Sequence, residues 1–199
     1  MSAQEKRRNE ILDAGLQVLV QEGWSATSMI KIARRANASK ETLYNWFGDK
    51  DGFFAAVIRR NAAPLDATLD PESRNSVADD LTRYGIALLT LLTGDKSVAI
   101  NRAAMAEAGT NATLGPILVE EGAGKSGRIF GAYLTARIRR GELKIDNLGA
   151  AVELFIALLK GNMQLYRLLG HGPRPTEDEI AARARVAANT FVTLYGVKP

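Results

Sequence analysis

Cysteine is absent from this chain of 199 residues. Disulfides and thiolate metal ligands are thereby excluded, and a reducing cytoplasm is the expected location. Histidine occurs once, as His171, in a Gly/Pro loop where solvated surface is the expected state. One histidine and no cysteine leave no Ser-His-Asp or Cys-His set and no histidine-rich metal site. No run of about 18 apolar residues is present, so no membrane partner is expected. The N-terminus, MSAQEKRRNE, is charged and lacks the apolar core of a signal peptide. No alternating strand pattern, internal repeat or low-complexity segment interrupts the chain. Gly124-Lys125-Ser126 imitates the tail of a phosphate-binding loop, but the required glycine five places earlier is Val119 and no strand precedes it. Asp79-Asp80 and Glu120-Glu121 are neighbours on helices and point about 100° apart, so neither pair forms a shared acid/base site. Both read as solvated faces. Nothing here calls for a cofactor or a metal, and nothing supplies a catalytic set.

What is present is ordinary globular material: 46% apolar and 24% charged residues. The net charge is +4, and its distribution is uneven. Residues 1–62 hold 10 Lys/Arg against 7 Asp/Glu, while residues 63–199 hold 16 against 15. Most of the positive excess therefore lies in less than a third of the chain. That suits phosphate binding, although ordinary surface charge explains it equally well.

The stretch from Trp24 to Phe54 carries the most information. Ile30, Ile32 and Ala33 define a short helix behind a Thr27 or Ser28 N-cap. Ala36-Asn37-Ala38 is a tight corner, and Asn37 tolerates the left-handed conformation such a corner needs. Ser39 caps a second short helix from Lys40 to about Trp46. Asp49 caps a third, with Phe53, Phe54, Val57 and Ile58 at helical spacing. A helix-turn-helix places the start of one helix in a DNA major groove. If Leu43 and Phe47 face inward, Lys40, Glu41, Thr42, Tyr44 and Asn45 lie outside. Lys40 and Thr42 sit where side chains reach base edges, and Tyr44 suits a phosphate oxygen. Lys50 heads the next helix and suits a second phosphate. Thr27, Ser28, Lys31 and Ser39 complete the expected DNA contacts.

Helical periodicity continues to the end, giving an all-α chain of about nine helices. The first runs over about 5–22 and ends at Gly23. Pro64 and Asp70-Pro71 mark a boundary, so the domains are expected at 1–62, including a linker helix, and 63–199. Helices are expected over about 76–92, 96–108 and 113–140, the last loosened or broken at Gly122-Ala123-Gly124. Asp146 is expected to cap a helix over 147–169, and Thr176 one over 177–195. The 147–169 helix is apolar on nearly all sides and must be covered on nearly all sides. Ile180, Ala184, Ala187, Phe191 and Leu194 form a stripe on the last helix. Val152, Ile156, Leu159, Ala184, Ala187 and Phe191 are accordingly expected at a homodimer interface; a central core helix is the alternative.

Residues 8–54 resemble the DNA-binding domain of the TetR family of bacterial transcriptional regulators. The resemblance rests on Ile11, Ala14, Gly23, Thr27, Ser28, Ile32, Ala33, Ala36, Ser39, Thr42, Leu43, Tyr44, Phe47, Lys50 and Phe54. The family usually has glycine where Asn37 stands and often glycine where Glu41 stands. Glu41 puts a carboxylate close to the phosphates or facing a cytosine amine, so the operator sequence does not follow from the resemblance. The remainder is similar to a TetR ligand-binding and dimerisation domain, through Gly141-Glu142-Leu143, the apolar helix, the Gly-Pro-Arg-Pro loop and the final helix.

The resemblance implies a dimeric regulator, a repressor that binds a near-palindromic double-stranded DNA operator and is released by a small-molecule effector. The helix starting at Asp49 would transmit a change in the spacing of the two recognition helices. The family's pocket lies among helices 4 to 8, which makes Tyr84, Leu88, Met105, Phe130, Tyr133, Phe155 and Met163 candidate effector contacts. Ordinary core packing is the alternative for each. Arg102, Glu107 and Arg128 would orient a polar ligand or simply be solvated. A mostly apolar lining points to a hydrophobic or aromatic effector. A helical binding protein or enzyme with an incidental helix-turn-helix, and an activating or ligand-independent regulator of the same fold, remain the rival readings.

Overall fold

Ser2 starts the first helix, α1 (Ala3–Ala26), with a reciprocal cap. Its hydroxyl accepts from the Glu5 amide at 3.1 Å, and the Glu5 carboxylate accepts from the Ser2 amide at 2.6 Å. The helix kinks at Gly23, where φ is +78°. In this computed structural model residues 2–109 and 113–197 are described. They divide into two units, Met1–Asn61 with Ala99–Ala123, and Ala62–Val98 with Gly124–Pro199. The segment 99–123, assigned above to the second domain, packs within the first unit.

In the first unit, α1 is followed by α2 (Met29–Arg35), α3 (Lys40–Phe47) and α4 (Lys50–Ala62). Ile11, Leu12, Leu16, Ile32, Leu43, Phe47, Phe53 and Phe54 form its core, joined by Ile100, Ala104 and Leu114 from the later segment. Gly15 and Gly52 permit close approaches. A Cβ on Gly15 would lie 2.2 Å from the Phe53 ring, and one on Gly52 would lie 2.1 Å from the Phe47 carbonyl oxygen. Ile30, expected on the inner face of α2, is 46% exposed; Met29 takes the buried place.

The second unit contains α5 (Val77–Thr93), α8 (Lys125–Arg139), α9 (Leu148–Lys160), α10 (Met163–Leu169) and α11 (Glu177–Tyr195). α6 (Asp95–Glu107) begins in the second unit's sequence and continues into the first's, and α7 (Leu114–Leu118) belongs to the first. Two expected helices are thus divided. The 113–140 helix loosens into a π-helical turn over Val119–Gly124, and the 147–169 helix breaks at Gly161, where φ is +45°. α11 lies along α5 and against α9. Asn147, not Asp146, caps α9, its side chain accepting from the Ala150 amide at 3.0 Å. Thr176 caps α11 with Glu179 completing a capping box.

The core of the second unit includes a cluster of charge. Asp80 and Arg137 are 0% and 1% exposed and form an ion pair. Asp80 also accepts from Tyr133 Oη and Asn75 Nδ2, each at 3.1 Å, and Arg137 Nη1 donates to Glu142 at 2.6 Å. Burial pushes the Asp80 carboxyl upward, but the Ser73, Asn75 and Tyr133 hydrogen bonds and the Arg137 charge hold it below the ordinary carboxylate value. The expectation of a solvated Asp79-Asp80 face is corrected for Asp80: it lies on the same stripe as Val77, Leu81 and Tyr84 and is turned inward with them.

Candidate nucleic-acid interface

The corner between α2 and α3 is built as its residues require. Asn37 takes φ +48°, the only positive φ outside glycine among the described residues. Ser28 caps α2, its hydroxyl accepting from the Lys31 amide at 3.3 Å. Ser39 caps α3, accepting from the Thr42 amide at 2.9 Å, and the two hydroxyls are 2.8 Å apart. From α1, Arg7 Nη2 donates to the carbonyls of Ala36 and Asn37 at 2.8 and 2.7 Å and so holds the corner. Asp49 caps α4 through the Gly52 amide at 2.8 Å.

Leu43 and Phe47 are buried, which fixes the direction α3 turns to the core. At about 100° per residue, Asn45 then points directly outward and Glu41 within about 40° of it. Lys40 and Tyr44 occupy one flank, with the Lys40 ammonium 5.5 Å from the Tyr44 ring centroid. Thr42 and Trp46 occupy the other. On α2, the buried Met29, Ile32 and Ala33 turn Lys31 and Arg34 outward. Arg34 is exposed and is not among the contacts expected from the sequence. Its signal was present: it stands opposite the apolar residues of its helix.

Two expected contacts require correction. Thr27 is 5% exposed, and its hydroxyl donates to the Gly23 carbonyl at 2.7 Å, so the side chain serves the α1 terminus rather than the surface. The Lys50 ammonium is not free for a phosphate. It donates to the Trp24 and Thr27 carbonyls at 2.8 and 3.1 Å and lies 4.0 Å from the Trp24 ring centroid. Burial pulls its pKa below the usual lysine value, while Asp51 and Glu107 act in the opposite direction. Lys31 is exposed and paired with Glu22 at 2.5 Å. The basicity of residues 1–62 is therefore partly internal, since Arg60 binds Asn9 and Asp13 and Arg59 pairs with Glu121 at 2.6 Å.

Among the effector candidates, Tyr84, Leu88, Phe130, Tyr133 and Phe155 share the second unit's core, and Met163 packs beside it. Tyr84, Phe130 and Phe155 touch, with ring centroids 5.0–6.2 Å apart. Met105 departs from this group: it lies in the segment that packs with the first unit and is 59% exposed. Glu107, a candidate to orient a ligand, accepts instead from the Ser25 hydroxyl at 3.1 Å. The interface set also divides. Val152 and Ile156 are half-buried, whereas Leu159, Ala184, Ala187 and Phe191 are 0% exposed within the chain and cannot meet a partner. Those four are core because α11 lays its small-residue stripe against α5 and α9. Gly85 marks the closeness, since a Cβ there would lie 3.1 Å from that of Ala184.

The first unit has the arrangement of a helix-turn-helix DNA-binding module. A family model described as "Bacterial regulatory proteins, tetR family" matches residues 11–57, and one described as "AefR-like transcriptional repressor, C-terminal domain" matches residues 79–197. A TetR transcriptional regulator from Agrobacterium tumefaciens has a solved structure with a TM-score of 0.81 and 36% identity, covering 100% of this chain and 97% of that one. The flavonoid-responsive regulator FrrA is 25% identical with a TM-score of 0.77, over 98% of this chain and 100% of that one. Among curated proteins, the uncharacterized HTH-type regulator YvkB of Bacillus subtilis is 32% identical over 88 residues, which is 44% of this chain and 46% of that protein. The regulator BetI of Paraburkholderia phymatum is 42% identical over 55 residues, 28% of each. The chain thus spans less than half the length of these curated relatives. It belongs to the TetR family of bacterial regulatory proteins. No single helix among the described residues is long and apolar enough to cross a membrane.

Proposed function

We propose that this protein is a cytoplasmic homodimeric repressor that binds a near-palindromic operator and leaves it when a small, hydrophobic or aromatic molecule enters the second unit. The observation that carries the reading is the outer face of α3, where Lys40, Glu41, Tyr44 and Asn45 are exposed around a rigid capped corner. Backbone amides at the α2 and α3 starts, with Arg34 and Lys40, would meet phosphates on either side of the groove. Lys50 and Thr27 hold that frame in place. Repression is supported by the description of the matching C-terminal family, and an aromatic effector by the name of FrrA.

The partner surface is reassigned to residues that are outside the core. Val152 and Ile156 on α9 are half-buried, and Val186 and Leu194 on α11 are 60% and 59% exposed. Two copies meeting there would cover apolar area that one chain leaves open.

The test is a footprint of the purified protein on DNA upstream of its own gene at two salt concentrations, with its mass measured by sedimentation. A protected palindrome that weakens with salt, and a dimeric mass, are expected, because phosphate contacts release counterions. A monomer that protects nothing at either salt, on this DNA or on genomic fragments, would reject the reading.

A further inference from the structure

We infer that Glu41 and Asn45 are the base-reading pair of α3, and that Glu41 selects a cytosine amino group, so that each operator half-site carries a C·G pair with an A·T pair one or two steps away. This rests on the DNA-binding reading above.

The direction of each side chain carries it. Measured from the buried Leu43 and Phe47, residues 41 and 45 project farthest from the core, while Lys40 and Tyr44 turn toward one groove wall. The hydroxyl of Thr42 is 2.8 Å from that of Ser39 and belongs to the cap. Glu41 and Asn45 are both exposed, and neither side chain has a hydrogen bond or ion pair among the described residues. Residues at i and i+4 rise about 6 Å along a helix, less than two base-pair steps of about 3.4 Å.

Chemistry then assigns the bases. A carboxylate only accepts, so it needs a donor on the groove floor. Adenine offers its amine beside the N7 acceptor, which repels a carboxylate; cytosine offers the N4 amine with no acceptor beside it on its own major-groove edge. Asn45 carries one donor and one acceptor and matches the adenine N6/N7 pair. Glu41 also faces the phosphate charge of every duplex. It weakens binding to all DNA and recovers that loss only over cytosine, so it produces specificity as a difference between sites.

The experiment is selection from random duplexes by the full chain, followed by salt titration on the selected and a scrambled duplex, for wild type, Glu41→Ala, Glu41→Gln, Asn45→Ala and Lys40→Ala. Wild type should enrich half-sites with a fixed C·G pair. Glu41→Ala should lose that preference, by about tenfold, and bind the scrambled duplex more tightly. Glu41→Gln should move the preference to A·T, and Asn45→Ala should lose only the neighbouring A·T preference. Lys40→Ala should weaken every duplex alike. If Glu41→Ala keeps the C·G preference and merely tightens all binding, Glu41 repels without reading and the inference fails alone. If wild type enriches no sequence, the DNA-binding reading fails and takes the inference with it. All three positions are exposed, so a variant that melts early would overturn the outward placement itself.

Discussion

The two units fasten their helices by different means. In the first, single side chains reach one or two backbone groups: Arg7 to the Ala36 and Asn37 carbonyls, Lys50 to those of Trp24 and Thr27, and Ser28, Ser39 and Asp49 to amides at helix starts. Each device fixes one angle and can be removed without opening the core. In the second, Asp80 and Arg137 are buried in one cluster with Tyr133 and Glu142, beside a packed group of aromatic rings. There each buried charge depends on the other and on one outer partner, Arg83 for Asp80 and Glu142 for Arg137. The first design sets the pose of a helix that must fit an external object; the second makes cohesion depend on a few groups together.

The sharpest way to expose the difference is to remove half of the buried pair. Asp80→Asn or Arg137→Met should destabilise the chain by about 3 kcal/mol in denaturant melts, because Arg137 is then left with only the partly exposed Glu142, or Asp80 with only the half-exposed Arg83. The double variant should lose less than the sum of the singles. Acid adds a second readout. The folded-state pKa of Asp80 lies below its ordinary value of 3.8. Its contribution is therefore complete above pH 3.8 and is lost as pH falls through the lower folded-state value. Asp80→Asn should flatten that acid limb and leave the slope between pH 5 and 7 unchanged. Equal acid limbs in both proteins would reject the role given to the pair.

A substitution in the first unit should cost less stability and more DNA affinity. Gly52→Ala drives a Cβ into the Phe47 carbonyl at the end of α3, and Gly15→Ala drives one into the Phe53 ring between α1 and α4. Overpacking of this kind costs about 1–3 kcal/mol. The melts should fall by similar amounts, but only Gly52→Ala displaces the recognition helix directly, so its operator affinity should fall further. Equal affinity losses would mean that α3 is not positioned through the α3–α4 joint.

Why the helix-turn-helix was legible and the charge cluster was not follows from where the information sits. Ser39, Asn37 and Asp49 act within three or four residues of themselves, so cap, corner and cap are visible as neighbours in sequence. The loosening at Val119–Gly124 was legible from Gly122 and Gly124, whereas at Gly161 a glycine inside an apolar run does not say whether the helix stops. Asp80 and Arg137 are 57 residues apart, and each looks like surface charge until its stripe is traced. Val77, Asp80, Leu81 and Tyr84 follow helical spacing, as do Phe130, Tyr133, Leu134 and Arg137; both charges stand on apolar faces. The same tracing marks Ala184, Ala187 and Phe191 as covered, but the expected cover was a second copy and the observed one is α5 and α9. A continuous stripe identifies something that will be covered, without saying whether the cover is the same chain.

Lys50 and Lys40 separate bracing from contact. Lys50→Ala should weaken operator binding by about tenfold, a ΔΔG of about 1.4 kcal/mol, by loosening the α1–α4 joint, while the salt dependence keeps its slope. Lys40→Ala should lower the slope of log affinity against log salt by about one unit. A reduced slope in Lys50→Ala would restore Lys50 as a phosphate ligand and contradict the pose of its ammonium.

The smallest effect tests the cap of α3. Ser39→Ala removes the acceptor for the Thr42 amide and should cost about 1 kcal/mol in the melt. Ser39→Asp should recover most of that, because aspartate caps as well as serine and its charge suits the helix start. Its DNA affinity should nevertheless fall, and fall most at low salt, since the new carboxylate faces phosphates. Stability and binding would then move in opposite directions at one residue. If Ser39→Asp bound DNA as wild type does, the start of α3 would lie away from the phosphates, and the pose of the recognition helix in the groove would have to be turned.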